Sequence, residues 1–102
     1  MINTVAQNLF ELLSDDYGDN DRLLEFCEYS CDHIDQQVTS DRYRRVGTDF
    51  ASSNIHFYMT GYEGGWCDFQ HYRKVNVEAQ RIYETVIIAC RMTYPSSVKP
   101  YA

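Results

Sequence analysis

Hydrophobic positions recur at spacings of three and four residues along most of the chain, which places them on one face of an α-helix. Four segments show this periodicity, at about 2–15, 20–38, 40–60 and 66–94. The last is the longest, and its apolar positions stay in phase throughout: Phe69, Tyr72, Ala79, Tyr83, Val86, Cys90 and Tyr94. Short connections between helices favour antiparallel neighbours. The pattern therefore predicts an all-α, four-helix bundle-like single domain over residues 1–102.

The third segment has a competing interpretation. Its apolar positions fit a helix, but Gly47 and the run Ser52-Ser53-Asn54 weaken one. Residues 54–60 also have the composition of a strand, and Glu63-Gly64-Gly65 has that of a turn. The alternative is thus an α+β domain with a β-hairpin at about 54–72 packed on three helices. The unbroken phase through 66–94 favours the helices.

Size and composition fit one modest hydrophobic core. The chain has 102 residues, of which 44% are hydrophobic, and residues 95–102 contain two prolines that predict a frayed tail. No segment approaches the roughly 18 apolar residues that span a membrane, and the start of the chain lacks the basic residues of a signal peptide. These features predict a cytoplasmic protein with no membrane contact, whose four cysteines are reduced.

Negative charge is concentrated near the start of the chain. The formal net charge is −6, but residues 1–40 carry nine carboxylates against a single cation, Arg22, which is −8. Residues 41–102 carry eight cations against six carboxylates, which is +2. An acidic field repels nucleic acid and attracts basic protein surfaces. The sequence therefore predicts a basic protein surface as partner, and no direct contact with nucleic acid.

Five of these carboxylates fall on one side of the second predicted helix, and we call them the acidic row. They are spaced four, three, four and three residues apart: Asp21, Glu25, Glu28, Asp32 and Asp35. On a helix they occupy a band of roughly 80°, with neighbours about 5 Å apart along the axis. The apolar stripe centred on Cys27, Cys31 and Ile34 lies roughly 110° away. Asp15 and Asp16 precede this helix and extend the predicted surface.

The acidic row has two interpretations. One is a solvated face that keeps the protein soluble, with some carboxylates paired to the cluster Arg42, Arg44 and Arg45. The other is a negative ridge whose charge spacing is comparable with that of phosphates along a nucleic-acid strand, so that it fits a basic channel.

Aromatic residues gather around the glycine-containing turn at 61–65. Tyr62 and Trp66 do not fit the apolar stripes on either side, and amphipathic aromatics at an exposed turn are typical interface anchors. The alternative is that the turn folds back and caps the end of the bundle.

Signals for chemistry are weak. Cys27-x3-Cys31 and Cys67-x3-His71 have the spacing of zinc ligands, but the two pairs fall on different faces of their helices. Buried cysteines that act as small hydrophobes are far commoner, and no phosphate loop or catalytic motif is present. We therefore predict no metal, no cofactor and no enzymatic activity.

Small size, acidity and the absence of catalytic motifs make the chain resemble the small inhibitors carried by phages and plasmids, such as anti-CRISPR and anti-restriction proteins. The resemblance is one of type and assigns a role to no residue. It implies a non-enzymatic, acidic protein-binding domain that mimics nucleic acid and docks on a nucleic-acid-handling complex. The alternative is a small structural or adaptor domain that forms a homodimer through its aromatic surface.

Overall fold

The computed structural model describes residues 4–37 and 41–94, and gives no side-chain description for residues 33–37, 41–46, 66 and 67. The predicted tail at 95–102 lies outside these ranges. Within them the chain forms five helices and no strand: α1 (Thr4–Tyr17), α2 (Asp21–Gln37), α3 (Asp41–Thr60), α4 (Trp66–Tyr72) and α5 (Val77–Thr93). The predicted all-α class is confirmed.

The first two helices overlap the segments predicted at about 2–15 and 20–38. The apolar face of α1 is buried through Val5, Ala6, Leu9 and Leu13. Gly18 follows α1 with φ +88°, a backbone conformation that glycine adopts without strain. Asn20 then caps α2, since its Oδ1 accepts a hydrogen bond from the Leu23 N–H at 2.9 Å.

The third segment is a continuous helix, so the alternative hairpin at 54–72 is wrong. The polar residues that weaken the helix in isolation are tied to its own backbone. Ser52 Oγ donates to the Thr48 carbonyl at 2.8 Å, and Asn54 Nδ2 donates to the Phe50 carbonyl at 2.8 Å. Ser52 is fully buried beside Ala51 and Ile55, where small side chains let α3 pack closely against its neighbours. α3 ends at Thr60, and Gly61 follows it with φ +80°.

The predicted single helix over 66–94 is also wrong in one respect, because it is two helices separated by a turn at 73–76. Asn76 has extended backbone angles and caps α5, with its Oδ1 accepting from the Ala79 N–H at 2.9 Å. Its Nδ2 donates to the Tyr72 hydroxyl at 3.0 Å, which ties the end of α4 to the start of α5. The predicted core face is nevertheless correct at Phe69, Ala79 and most later positions.

α1 and α5 run antiparallel and are joined at both ends. Asn8 donates to the Thr93 hydroxyl at 2.9 Å, and at the opposite end the Tyr17 hydroxyl donates to Glu78 at 2.5 Å. α3 packs against α2, α4 and α5, so that α2 has one face on the core and one face outward. No helix in the described ranges is long and apolar enough to cross a membrane.

Candidate functional site

The acidic row lies on the outward face of α2. Asp21, Glu25 and Asp32 are exposed and Glu28 is half-buried, while the side chain of Asp35 lies outside the described residues. The core face of the same helix is formed by four fully buried side chains: Leu23, Cys27, Ser30 and Cys31. On a helical wheel the row is roughly 140° from the centre of these four. It points away from the core more directly than the predicted 110°, because Leu23 and Ser30 join Cys27 and Cys31 on the buried face.

Among the residues that the structure describes, no lysine or arginine forms an ion pair with these four carboxylates. Arg22 lies on a different side of α2, with its guanidinium carbon 5.3 Å from the centre of the Tyr58 ring. Like charges one turn apart on a helix cost a few tenths of a kcal/mol per pair. The row thus has no ion pair within the described part of the protein, and the side chains of Arg42, Arg44 and Arg45, its partners in the first interpretation, lie outside that part.

The two acidic residues at the end of α1 differ from the row. Both Asp15 and Asp16 are exposed. Asp16 forms an ion pair with Arg81, whose Nη2 donates a hydrogen bond to Asp16 Oδ2 at 2.8 Å. This pair links α1 to α5. Asp16 is therefore engaged within the fold, whereas Asp15 adds charge next to the loop that leads into α2.

Aromatic side chains line α2 beside the row, a feature that sequence reasoning missed. Phe26 stacks on Tyr58 of α3, with ring centres 3.9 Å apart and planes inclined by 14°. Tyr29 is 65% exposed, an unusual degree for a large ring. Its signal in the sequence is the three- and four-residue spacing of Arg22, Phe26 and Tyr29, a second stripe next to the acids.

Two shallow hollows meet at Tyr29. The larger, about 300 Å³, is lined by Glu28, Tyr29 and Asp32 together with Phe50 of α3. The smaller, about 220 Å³, is lined by Glu25, Phe26 and Tyr29. Carboxylates of the acidic row therefore line hollows on both sides of one exposed ring.

The predicted anchor Tyr62 is half-buried within an aromatic cluster. Its ring stacks on Tyr72 with centres 4.5 Å apart, and it lies 5.6 Å from the His56 ring. Burial raises the pKa of the Tyr62 hydroxyl. This packing supports the capping interpretation of the turn, and a role of Tyr62 in partner binding stays a prediction. The side chain of Trp66, the other predicted anchor, lies outside the described residues.

His56 is fully buried between α3 and α4. Its ring is 5.3 Å from Tyr72 and 5.9 Å from Phe69, and Thr60 Oγ1 lies 3.2 Å from Nε2. Burial in this apolar setting lowers the pKa of His56, partly offset by the charge of Glu78. This placement makes His56 a packed core residue.

The cysteine pair on α2 belongs to the core. Cys27 and Cys31 are fully buried, and burial raises the pKa of the Cys27 thiol to about 12. Within the described residues, no three or more histidine, cysteine or acidic side chains come together in a way that could hold a metal ion. The side chain of Cys67, which would pair with His71, is outside them.

Comparisons with known proteins add no relative to this picture. No protein-family model, no characterised protein and no solved structure matches the chain.

Proposed function

We propose that this chain is a non-enzymatic, acidic protein-binding domain that docks through the outward face of α2 on a basic protein surface. The observation that carries the proposal is the acidic row itself. Four carboxylates, Asp21, Glu25, Glu28 and Asp32, follow one side of α2, opposite its core face and with no ion pair to any cation that the structure describes. Charge complementarity of this kind speeds association and selects among partners.

The partner class that fits best is a nucleic-acid-handling complex. From Asp21 to Asp32 the row extends about 16 Å at 1.5 Å per residue, with its charges in a line. A protein groove lined with lysine and arginine to hold a nucleic-acid backbone presents the matching positive charges in a line. We therefore infer an inhibitor of the nucleic-acid-mimic type, as found in phages and plasmids, that acts in the cytoplasm.

The proposal is tested by reversing the row. In Glu25→Lys/Glu28→Lys/Asp32→Lys each change adds two charges, so the formal net charge moves from −6 to about zero. A matched control, Glu11→Lys/Glu63→Lys/Glu84→Lys, makes the same change at exposed positions outside the row. Only the position of the charges then differs between the two variants.

Each protein is immobilised and used to capture complexes from an extract of the native host at low and raised salt, with competing DNA or RNA. We expect the wild type and the control to retain a common nucleic-acid-binding complex, which row reversal, salt and competing nucleic acid each remove. Equal capture by all three proteins, unaffected by salt, would contradict the proposal. A dimer that survives high salt and is lost in Trp66→Ala would instead favour the self-associating adaptor.

A further inference from the structure

Tyr29 is an exposed ring placed among carboxylates. It is 65% exposed on the outward side of α2. Glu28 and Asp32 share the hollow of about 300 Å³ on one side of it, and Phe50 completes the described lining. Glu25 borders the smaller hollow on the other side. An acidic surface built only for solubility requires neither the hollow nor the ring.

The two kinds of lining group favour the same type of ligand. Carboxylates attract a cation, and the face of an aromatic ring attracts it as well through its quadrupole. The rings of Tyr29 and Phe50 also offer apolar surface to the aliphatic stem of a long basic side chain. At about 300 Å³ the larger hollow is at the lower limit of ligand pockets, which suits one side chain better than a larger molecule.

A contact between an arginine and an aromatic ring is already present within the chain, next to the smaller hollow. Arg22 lies over the Tyr58 ring at 5.3 Å, and that ring stacks on Phe26. Phe26 in turn lines the smaller hollow with Tyr29. One ring beside the acidic row, that of Tyr58, therefore already holds an arginine of this chain. Another ring, that of Tyr29, is open to solvent.

From this geometry we propose that the larger hollow binds the side chain of an arginine presented by the protein partner. Its guanidinium plane lies on the Tyr29 ring, and its N–H groups donate to Glu28 and Asp32. Arginine fits better than lysine because its planar group stacks on a ring while its edge donates to carboxylates. The inference rests on the proposed function and names the partner's chemistry at that site.

The test uses two peptides of the same length and charge, one with four arginines and one with four lysines at the same positions. Their binding to the full chain is measured by isothermal titration calorimetry at two salt concentrations. We expect the arginine peptide to bind about two- to fivefold more tightly, the ratio that one exposed cation–π contact supplies. Equal affinities would overturn the inference, as would tighter binding of a trimethyl-lysine peptide.

Three variants test whether the Tyr29 ring causes the preference for the arginine peptide. Tyr29→Leu keeps an apolar side chain but has no ring, so it should bind the two peptides with equal affinity. Tyr29→Phe keeps the ring and should retain the preference. Phe57→Leu removes an aromatic ring that is 43% exposed elsewhere and should also retain it. An unchanged preference in Tyr29→Leu would overturn the inference, even if all variants fold.

The two proposals fail in different ways. If both peptides bind equally, and row reversal still removes salt-dependent binding, only the arginine site is wrong. If neither peptide binds the wild type, or if row reversal leaves peptide binding unchanged, the proposed docking face is wrong as well.

Discussion

His56 shows how much a single residue's surroundings can differ from its signal in the sequence. Histidine is by its side-chain chemistry a common general base, yet the fold encloses His56 among Tyr62, Phe69 and Tyr72. Its neutral form suits this setting, because the apolar neighbours do not replace the water that would solvate the charged ring.

We expect the free energy of unfolding to fall as the pH is lowered through the histidine range. Because the pKa of His56 is below 6.5 in the folded state, the unfolded chain binds the proton first. The contribution of His56 is therefore complete above about pH 6.5 and is lost as the pH falls towards the folded-state pKa. Urea unfolding between pH 5 and 8 measures this slope.

The exposed His71 supplies the control for that slope. His56→Gln should reduce the pH dependence between pH 5 and 7, whereas His71→Gln should leave it in place. An identical slope in His56→Gln and the wild type would show that the histidine is not responsible.

Residue-level reasoning found the candidate site in part. The row could be identified because helical spacing alone places Glu25, Glu28 and Asp32 on one side, whatever the rest of the fold does. The hollow beside Tyr29 could not be recognised, since it depends on where Phe50 of α3 lies. The engagement of Asp16 with Arg81, 65 residues later, likewise depends on tertiary packing.

At the scale of elements, helices were predictable and their breaks were not. Periodicity reports which face is buried, and that face continues in phase from Phe69 through Cys90 although the backbone turns at 73–76. The local signal that was available is Asn76, three residues before Ala79, which is the spacing of a helix cap. In α3 the sequence suggested an interruption that does not exist. Ser52 and Asn54 donate hydrogen bonds to carbonyls of the preceding turn, so the helix continues through them.

We expect Asn76→Ala to lower the free energy of unfolding by about 1–2 kcal/mol, because it removes the cap of α5 and also the hydrogen bond to Tyr72. Asn76→Asp keeps the capping oxygen and should cost less than Asn76→Ala. Urea unfolding followed by circular dichroism compares the variants. An unchanged midpoint in Asn76→Ala would mean that α5 does not depend on this cap.

At the scale of the whole molecule, three of the cysteines that the structure describes belong to the core. Cys27, Cys31 and Cys90 are buried, and they contribute apolar contact between helices. Thiolate is the reactive form of cysteine, and a pKa of about 12 keeps Cys27 protonated at neutral pH.

These three thiols should therefore resist alkylation in the native protein and react only through unfolding. Iodoacetamide labelling at pH 8, read by peptide mass spectrometry, should modify them slowly in buffer and completely in guanidinium chloride. Rapid labelling of Cys27 or Cys90 in buffer would contradict the packing of α2 or α5.

The acidic row also gives salt two opposite effects on this protein. Repulsion along α2 opposes folding, and dissolved ions screen it, so added salt relieves the helix. The same screening weakens attraction to a basic partner. In the proposed complex a positive surface would reduce the same repulsion as salt does, so the free protein would be least stable in the dilute conditions where that complex is tightest. The repulsion along the row would then be part of what favours the proposed docking.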